Sequence, residues 1–340
     1  MNFWYQSSLI HILLWPGHWL LSMFIWLRRL CYQKGWFKSY KANVPVIIVG
    51  NIAVGGTGKS PVVMTLVQDL KRRGYQPAVV SRGYGGKAKN YPLEVTSETA
   101  VEHSGDEAWM MANRCECPVV VDPIRSRAVD LLVSSYTCDM IISDDGLQHY
   151  ALKRDFEIAL VEGQRFLGNG LVMPFGPLRE PAWRLKSVNA VVINHRFDSY
   201  TERSLKLRQN GLPVYDCHFS AQQFCALNNH TDHLSLQAFV AKYKKETVHA
   251  IAGIGNPEAF FEFLTSLGLT ITPHIYPDHH QYIADDFKAL EGLIVMTEKD
   301  ASKCYDMDIE NAWFLAIESH LTPNLTKSCL RALGLESHKT

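Results

Sequence analysis

Residues 46–61, V-I-I-V-G-N-I-A-V-G-G-T-G-K-S-P, run an apolar strand straight into a glycine-rich turn that closes on Gly58-Lys59-Ser60. This order restricts the fold to one that puts a helix immediately after the turn. Glycines then let main-chain N–H groups crowd around phosphate oxygens, the helix N-terminus adds positive potential, the lysine reaches the outer phosphates, and the hydroxyl can hold Mg²⁺. The segment predicts a nucleoside triphosphate site contacted by Gly55, Gly56, Thr57, Gly58, Lys59 and Ser60. The strict pattern G-x-x-x-x-G-K-[ST] would put glycine at position 53, where Ala53 stands, so the first bend must be made differently. A plain strand-to-helix turn with a solvated lysine is the alternative, and the agreement of strand, loop and helix speaks against it.

Composition permits an ordinary folded enzyme. At 340 residues and 47% hydrophobic content the chain can bury one large α/β domain or two lobes. Lys plus Arg and Asp plus Glu are 34 each, so no global charge draws the chain to nucleic acid. The eight cysteines are scattered, which predicts reduced thiols and no disulfide framework. Cys115-Glu116-Cys117 lacks the second pair that a zinc site of this kind needs, and packing is the simpler role.

The N-terminus carries the second strong signal. Residues 9–27 contain no Asp, Glu, Lys or Arg and would span about 28 Å as a helix. Pro16-Gly17 interrupts the middle, and His18 would be costly near a bilayer centre, with His11 a smaller burden. The expectation is a pair of helices lying in a membrane interface, with Trp4, Trp15, Trp19 and Trp26 at headgroup level, or else a bare span. Arg28, Arg29, Lys34 and Lys38, interleaved with Tyr32, Trp36 and Phe37, form a basic and aromatic collar that favours anionic lipid and a cytoplasmic remainder. A helix buried in the main domain is the competing reading, and no cleavable signal peptide is evident.

Beyond the loop, helical patterns at 61–73, 107–114 and 126–135 alternate with extended runs at 78–81, 118–121 and 140–145. Further strand-like runs at 157–161, 190–194, 249–254 and 293–297 surround a helical pattern at 257–267. The alternation predicts an α/β, P-loop NTPase-like fold: a mainly parallel sheet flanked by helices, a second smaller α/β lobe, and an N-terminal hydrophobic helical segment. The expected division is a membrane-associated segment 1–40, a P-loop lobe 41–180 and a second lobe 181–335, with a hinge around 151–185. Ligands of such sheets bind beyond the carboxyl ends of the strands, where Gly50, Ser81 and the pair Asp144-Asp145 emerge. Either acid would suit a carboxylate that holds Mg²⁺ at a strand end. A solvated turn is the alternative for that pair. The glycine- and proline-rich stretch 163–181 reads as a functional loop or crossover.

Taken in order, the motifs resemble one family. They are G-N-x-x-x-G-G-x-G-K-S-P at 50–61, S-R-G-Y-G at 81–85, G-D-E at 105–107, D-D-G-L-Q-H at 144–149, P-x-G-P-L-R-E at 174–180, D-H-H at 278–280 and T-E-K-D at 297–300. Together they are similar to tetraacyldisaccharide 4′-kinase, over nearly the whole chain. The resemblance implies transfer of the γ-phosphate of ATP to the 4′-hydroxyl of an acylated glucosamine disaccharide 1-phosphate, giving lipid IVA in lipid A biosynthesis. It implies ATP and Mg²⁺ as cofactors, the cytoplasmic face of the inner membrane of a Gram-negative bacterium as the location, and no obligate protein partner.

Carried onto this chain, the resemblance makes Asp106 the base, paired with His279 arriving from the second lobe. Lys59 neutralises phosphate oxygens, Ser60 with Asp144 or Asp145 holds the metal, and Glu107 supports the metal. Arg179 and Glu180 face the acceptor or the γ-phosphate, and Arg82 and Tyr84 grip the lipid or nucleotide phosphates. Residues 297–300, at the end of another strand, resemble a base-reading loop and suit the adenine or ribose, with Lys299 as a plain surface residue the alternative. A nucleotide-driven switch or metallocentre-assembly NTPase is the alternative, but it has no need of the apolar N-terminus or of the G-D-E and D-H-H pair. A non-catalytic membrane scaffold is a third, and it would not need Lys59.

Overall fold

The computed structural model describes residues 2–5, 10–195, 207–208, 211–228, 232–322 and 325–336. Helix α1 (Ile10–Gln33) comes first, then strand β1 (Val46–Asn51), the phosphate-type loop and α2 (Lys59–Arg72). β2 (Pro77–Ser81), β3 (Leu93–Glu94), α3 (Val101–Ser104), α4 (Asp106–Cys115), β4 (Val119–Val121), α5 (Arg125–Ser135) and β5 (Met140–Asp144) follow. The chain continues with β6 (Phe156–Glu162), β7 (Ala190–Asn194), β8 (Val214–Ala226), β9 (His233–Ser235), α6 (Leu236–Tyr243) and β10 (Thr247–Ala252). It ends with α7 (Pro257–Ser266), β11 (Thr270–Ile275), β12 (Leu293–Thr297), α8 (Glu298–Ala301), β13 (Ala312–Thr322) and α9 (Leu325–Ala332).

All strands join one sheet, ordered β11-β10-β12-β13-β8-β7-β6-β1-β5-β2-β4-β3, with β9 beside β8. From β4 to β8 neighbours are parallel, as they are from β13 to β11. These two runs meet at the antiparallel pair β8·β13. The parallel strands β1, β2, β6 and β7 are buried on both faces, which is why they read as near-continuous apolar runs. Apolar clusters lie on either face of each run: Leu66, Met111 and Ile142 against Ile48, Leu132 and Ile141 in the first, Met296 and Phe314 against Phe239 and Leu264 in the second.

The sheet is continuous across the expected lobe boundary at 181. β6 pairs with β1, β7 with β6 and β8 with β7, so the first parallel run continues past residue 181. β13 then carries the chain back: Ser319 Oγ donates to the Pro61 carbonyl at 3.0 Å, and α9 packs its Leu325, Cys329 and Leu330 into the core around α2. The two halves are thus joined by two crossing strands.

The expected break at Pro16-Gly17 is also corrected, since α1 runs unbroken through Pro16. The proline forfeits one helical hydrogen bond. The helix is instead held from outside by the glycine- and proline-rich stretch: His18 Nδ1 accepts from the Val172 N–H at 3.1 Å. The opposite side of α1 is bare, with Leu13, Trp19, Leu20, Met23 and Phe24 each 60–79% exposed.

Candidate active site

Three adjacent strands, β1, β5 and β2, end together and bring Gly50, Asp144 and Ser81 to one edge. The loop after β1 makes its first bend without a glycine at 53. The Val54 N–H donates to the Pro177 carbonyl at 2.8 Å and the Arg179 N–H to the Ile52 carbonyl at 2.6 Å, so the proline-rich stretch shapes the loop from outside. Gly58 is the left-handed N-cap of α2, at φ +81°, and a Cβ there would stand 2.6 Å from Phe219 and 2.9 Å from the Asn194 side chain. Only glycine fits. Asn194 Nδ2 also donates to the Thr57 carbonyl at 3.0 Å, fixing the loop from β7.

The strand-end acids divide their work. Asp145 accepts from Arg179 Nη1 at 3.0 and 2.9 Å and lies 3.7 Å from Lys59 Nζ. Burial would raise its carboxyl, but Lys59 and Arg179 outweigh that and hold it below the ordinary range. Asp144 is 1% exposed. Ser81 Oγ donates to its Oδ2 at 3.3 Å, while its Oδ1 has no partner among the described residues. Burial first, then Glu107 and Asp145, push its carboxyl up to about 7. Beneath both acids, buried Arg125 donates through Nη2 to the main-chain carbonyls of Asp144 and Asp145 at 2.9 Å each.

Across from them, Asp106 opens α4 at 4% exposure and meets His279 from the other half, with His279 Nδ1 at 3.0 Å from Asp106 Oδ2. Gly105 ahead of it is needed, because a Cβ would lie 2.3 Å from the Tyr84 carbonyl. Lys299 Nζ approaches His279 Nε2 at 3.3 Å and Asp278 Oδ1 at 3.2 Å. An ammonium at Nε2 requires that nitrogen to accept, which assigns the ring proton to Nδ1, donating to Asp106. Burial would raise the Asp106 carboxyl, yet the His279 hydrogen bond and Lys299 hold it below the usual carboxylate value.

Apart from Asp106, these groups line a crevice of about 750 Å³ that also takes in Arg82, Tyr84, Gln148 and His149. A second cavity, of about 270 Å³ and largely apolar, opens on the other side of the loop between Met64, Phe219, Ile254 and Phe260. The two share Gly56, Lys59, Glu107, Asp278 and Lys299. A phosphate cradle therefore sits between a charged crevice and an apolar slot.

A family model described as tetraacyldisaccharide-1-P 4′-kinase matches residues 10–334. The chain belongs to this family.

Relatives named tetraacyldisaccharide 4′-kinase agree over their full lengths. The one from Methylobacillus flagellatus is 42% identical across 97% of this chain and 94% of its own, and the one from Alcanivorax borkumensis 43% across 98% and 97%. Among solved structures, LpxK from Aquifex aeolicus, crystallised in complex with ATP, is 30% identical at a TM-score of 0.77, covering 95% of this chain and 99% of its own. The expected P-loop kinase fold and the use of ATP follow from this kinship.

Most of the residues expected from sequence converge on the kinase crevice. Lys59, Arg82, Tyr84, Glu107, Asp144, Asp145, Arg179 and His279 all line it, and Asp106 is hydrogen-bonded to His279 at its border. Thr57, Gly58 and Ser60 line the apolar side of the loop, with Thr297 and Lys299. The Tyr84 and His279 rings lie 4.9 Å apart.

Glu180 is the exception. Its side chain is 2% exposed and turns away from the crevice, accepting from the Tyr150 hydroxyl and pairing with Arg184 Nε at 3.0 Å. Arg184 also donates to Glu157 at 2.6 Å, and Arg154 to Glu157 at 3.0 Å. The reading of Glu180 as an acceptor contact is therefore corrected: it belongs to a buried ion network under the Arg179 loop. His280 is likewise turned aside, onto Asp286 at 3.1 Å.

Sequence reasoning missed Arg125, the apolar slot and Asn194, which come from separate elements with no shared motif. Gln148 and His149 stood inside a quoted motif without a role. His149 is held neutral, its imidazole lowered to about 4 by burial and by Arg125 and Arg154.

The donor set fits Mg²⁺. Asp144 Oδ1 is a buried carboxyl oxygen with no partner among the described residues, and Ser60 supplies a hydroxyl in the first turn of α2 after the loop. Among the described residues there is no group of three His, Cys, Asp or Glu suited to hold a metal. One carboxylate and one hydroxyl completed by phosphate oxygens is the arrangement Mg²⁺ favours.

Proposed function

We propose that this kinase transfers the γ-phosphate of ATP to the 4′-hydroxyl of tetraacyldisaccharide 1-phosphate, with the crevice between Lys59 and His279 as the place of transfer. The observation that carries this reading is the meeting of Asp106 and His279 at 3.0 Å, from opposite halves of the molecule, beside the phosphate loop. A nucleotide switch that uses water has no need of such a pair.

The apolar slot takes the adenosine, and the amides of residues 55–60 take the phosphates. Thr297 and Lys299 border that slot, which supports the nucleotide-side role expected for residues 297–300. Ser60 and Asp144 would hold Mg²⁺, with Glu107 nearby, and the ion when bound neutralises charge on the β- and γ-oxygens. Lys59 adds a second positive charge, released from Asp145 to the phosphates as the nucleotide enters. Arg179, fixed on Asp145, presents its remaining N–H donors to the transferred group. Arg82 and Tyr84 flank the acceptor's way in.

A sugar hydroxyl is a very weak acid, so it needs a base only as its oxygen bonds to phosphorus and the bond from phosphorus to the ADP oxygen breaks. The hydroxyl proton passes to Asp106. His279 Nδ1–H donates to the carboxylate and so holds it in place for the transfer. Because His279 comes from the second half, the base is complete only when both halves are together.

The acceptor's acyl chains explain the N-terminus. No helix among the described residues is long and apolar enough to cross a membrane. The bare face of α1 is a continuous apolar stripe that suits a helix lying in the bilayer interface on the cytoplasmic side of the inner membrane. Arg28 donates to the Gln148 carbonyl at 3.4 Å, so the basic end of α1 abuts the crevice.

The test is incubation with γ-labelled ATP and tetraacyldisaccharide 1-phosphate in detergent micelles, beside a lipid-free control. Label on the lipid as a 4′-phosphate monoester is expected. Release of inorganic phosphate alone, at equal rates with and without lipid, would select the switch reading instead.

A further inference from the structure

The motif Thr297-Glu298-Lys299-Asp300 does more than border the nucleotide slot. Glu298 and Lys299 open α8, and each reaches a different end of α4. Lys299 Nζ lies 3.7 Å from Asp106 Oδ2 and 4.0 Å from Glu107 Oε1, in the helix's first turn. Glu298 accepts from Arg114 Nη1 at 2.9 Å, in its last turn, and the same Arg114 nitrogen donates to the Ile317 carbonyl of β13 at 3.1 Å. Asp106 and Arg114 are eight residues apart, about 12 Å along the axis. Two points that far apart fix both the position and the direction of a rod.

The polarity matters as much as the spacing. α4 offers an acid at its start and a base at its end, while α8 offers a base to the first and an acid to the second. Reversed or slipped docking would set like charges together. α8 itself cannot yield, because Asp300 Oδ2 accepts from Thr297 Oγ1 at 2.6 Å and from the Gly253 N–H at 2.9 Å, and Asp300 pairs with fully buried Lys303 at 3.0 Å. Lys299 also holds Asp278, the residue before His279. The stub that grips the base helix therefore also grips the loop bearing its histidine.

We propose that Arg114, Glu298 and Lys299 are positioning residues: a two-point, opposite-polarity latch between the halves that sets Asp106 of α4 against His279. Arg114 touches neither cavity and acts only through Glu298 and β13. The proposal rests on the kinase reading for its kinetic consequence, though not for its structural one.

Arg114→Met is the main variant. A misplacement of about 1 Å at a reacting group can cost about 100-fold, so kcat for lipid phosphorylation is expected to fall roughly 10- to 100-fold. KM for ATP should change less than kcat, since the phosphate loop sits on other elements although Glu298 and Ile317 border the apolar slot. Arg114→Lys, which keeps the cation, should recover most of the rate. In an Asp106→Asn background, Arg114→Met should slow the residual reaction no further, because there is no longer a base to misplace. A rate within twofold of the parent for Arg114→Met, or an equal further loss in the Asp106→Asn background, would overturn the latch. Hydrogen exchange of the α4 amides reads the same contact without turnover. Acceleration in the Arg114→Met and Glu298→Gln proteins supports the latch even if the parent transfers no phosphate, a result that would sink the kinase reading alone. Unchanged exchange in both variants would overturn the latch.

Discussion

Arg184→Met separates the buried ion network from the site more sharply than any other single change. Arg184 is 1% exposed and is the group shared by two carboxylates, Glu157 at 2.6 Å and Glu180 at 3.0 Å. Without it Glu180 keeps only the Tyr150 hydroxyl, and Glu157 keeps Arg154. Removing one partner of a buried pair leaves charge stranded in a poor solvent and costs about 3–5 kcal/mol. For 340 residues, an unfolding entropy of about 2.1 cal/mol/K per residue amounts to about 0.7 kcal/mol/K, so the loss converts to a fall in Tm of about 4–7 °C. Glu180→Gln keeps the shape and should cost about 1–3 kcal/mol. Scanning calorimetry measures both. The rate of lipid phosphorylation per folded molecule, measured well below Tm, should remain within about twofold of the parent for Glu180→Gln, because its side chain does not reach the crevice. An unchanged Tm together with a tenfold higher KM for the lipid would place Glu180 on the acceptor instead.

Three further outcomes follow from the geometry. Gly58→Ala places a side chain at φ +81° with its Cβ 2.6 Å from Phe219, adding about 1–2 kcal/mol of backbone strain to a displaced wall of the slot. Calorimetry with Mg·ATP should show affinity reduced at least about tenfold, and undiminished affinity would contradict the placement. His149, lowered to about 4 by burial, takes up a proton far more readily unfolded, where its value is about 6.5. Its contribution is therefore full above pH 6.5 and is lost as pH falls towards 4, by up to about 3 kcal/mol. Urea titrations of the parent and His149→Gln should diverge by about 2–3 kcal/mol between pH 7 and pH 4.5, the parent losing more; parallel curves would rule this out. Replacing Leu20, Phe24 and Leu27 together with serine should abolish flotation with anionic liposomes while Mg·ATP binding persists, and joint loss of both would make α1 part of the core instead.

What the sequence disclosed and what it hid divide along a physical line. The strand, loop and lysine of residues 46–61 are contiguous, so their geometry is dictated locally. The same holds for Asp144-Asp145 at a strand end and for α4 and α7, whose expected spans differ from the observed ones by a residue or so. Glu180 shows the limit. It follows Arg179 directly, but adjacent side chains face opposite ways, and only the packing of Tyr150 and Arg184 decides which one reaches the crevice. The continuation of the first parallel run past residue 181 was hidden because β7 looks the same whether it extends that run or starts another. The long antiparallel partners β8 and β13 are separated by about a hundred residues and carry no local signal of their pairing. Pro16 misled for a related reason: propensity registers the lost hydrogen bond, whereas the wall formed by residues 172–175 is a tertiary contact. Arg114 belongs to no motif at all, and its role comes only from the half of the chain that it meets.

In the proposed reaction, a base assembled from both halves takes the proton of the acceptor hydroxyl. Single-turnover transfer of γ-phosphate to tetraacyldisaccharide 1-phosphate by the parent and by Asp106→Asn, with Mg·ATP affinity measured on the same samples, tests it most directly. Base catalysis contributes about 10²- to 10⁴-fold, so the variant should bind Mg·ATP as the parent does and transfer phosphate at least about a hundredfold more slowly. Transfer at near-parental speed with intact binding would contradict the claim.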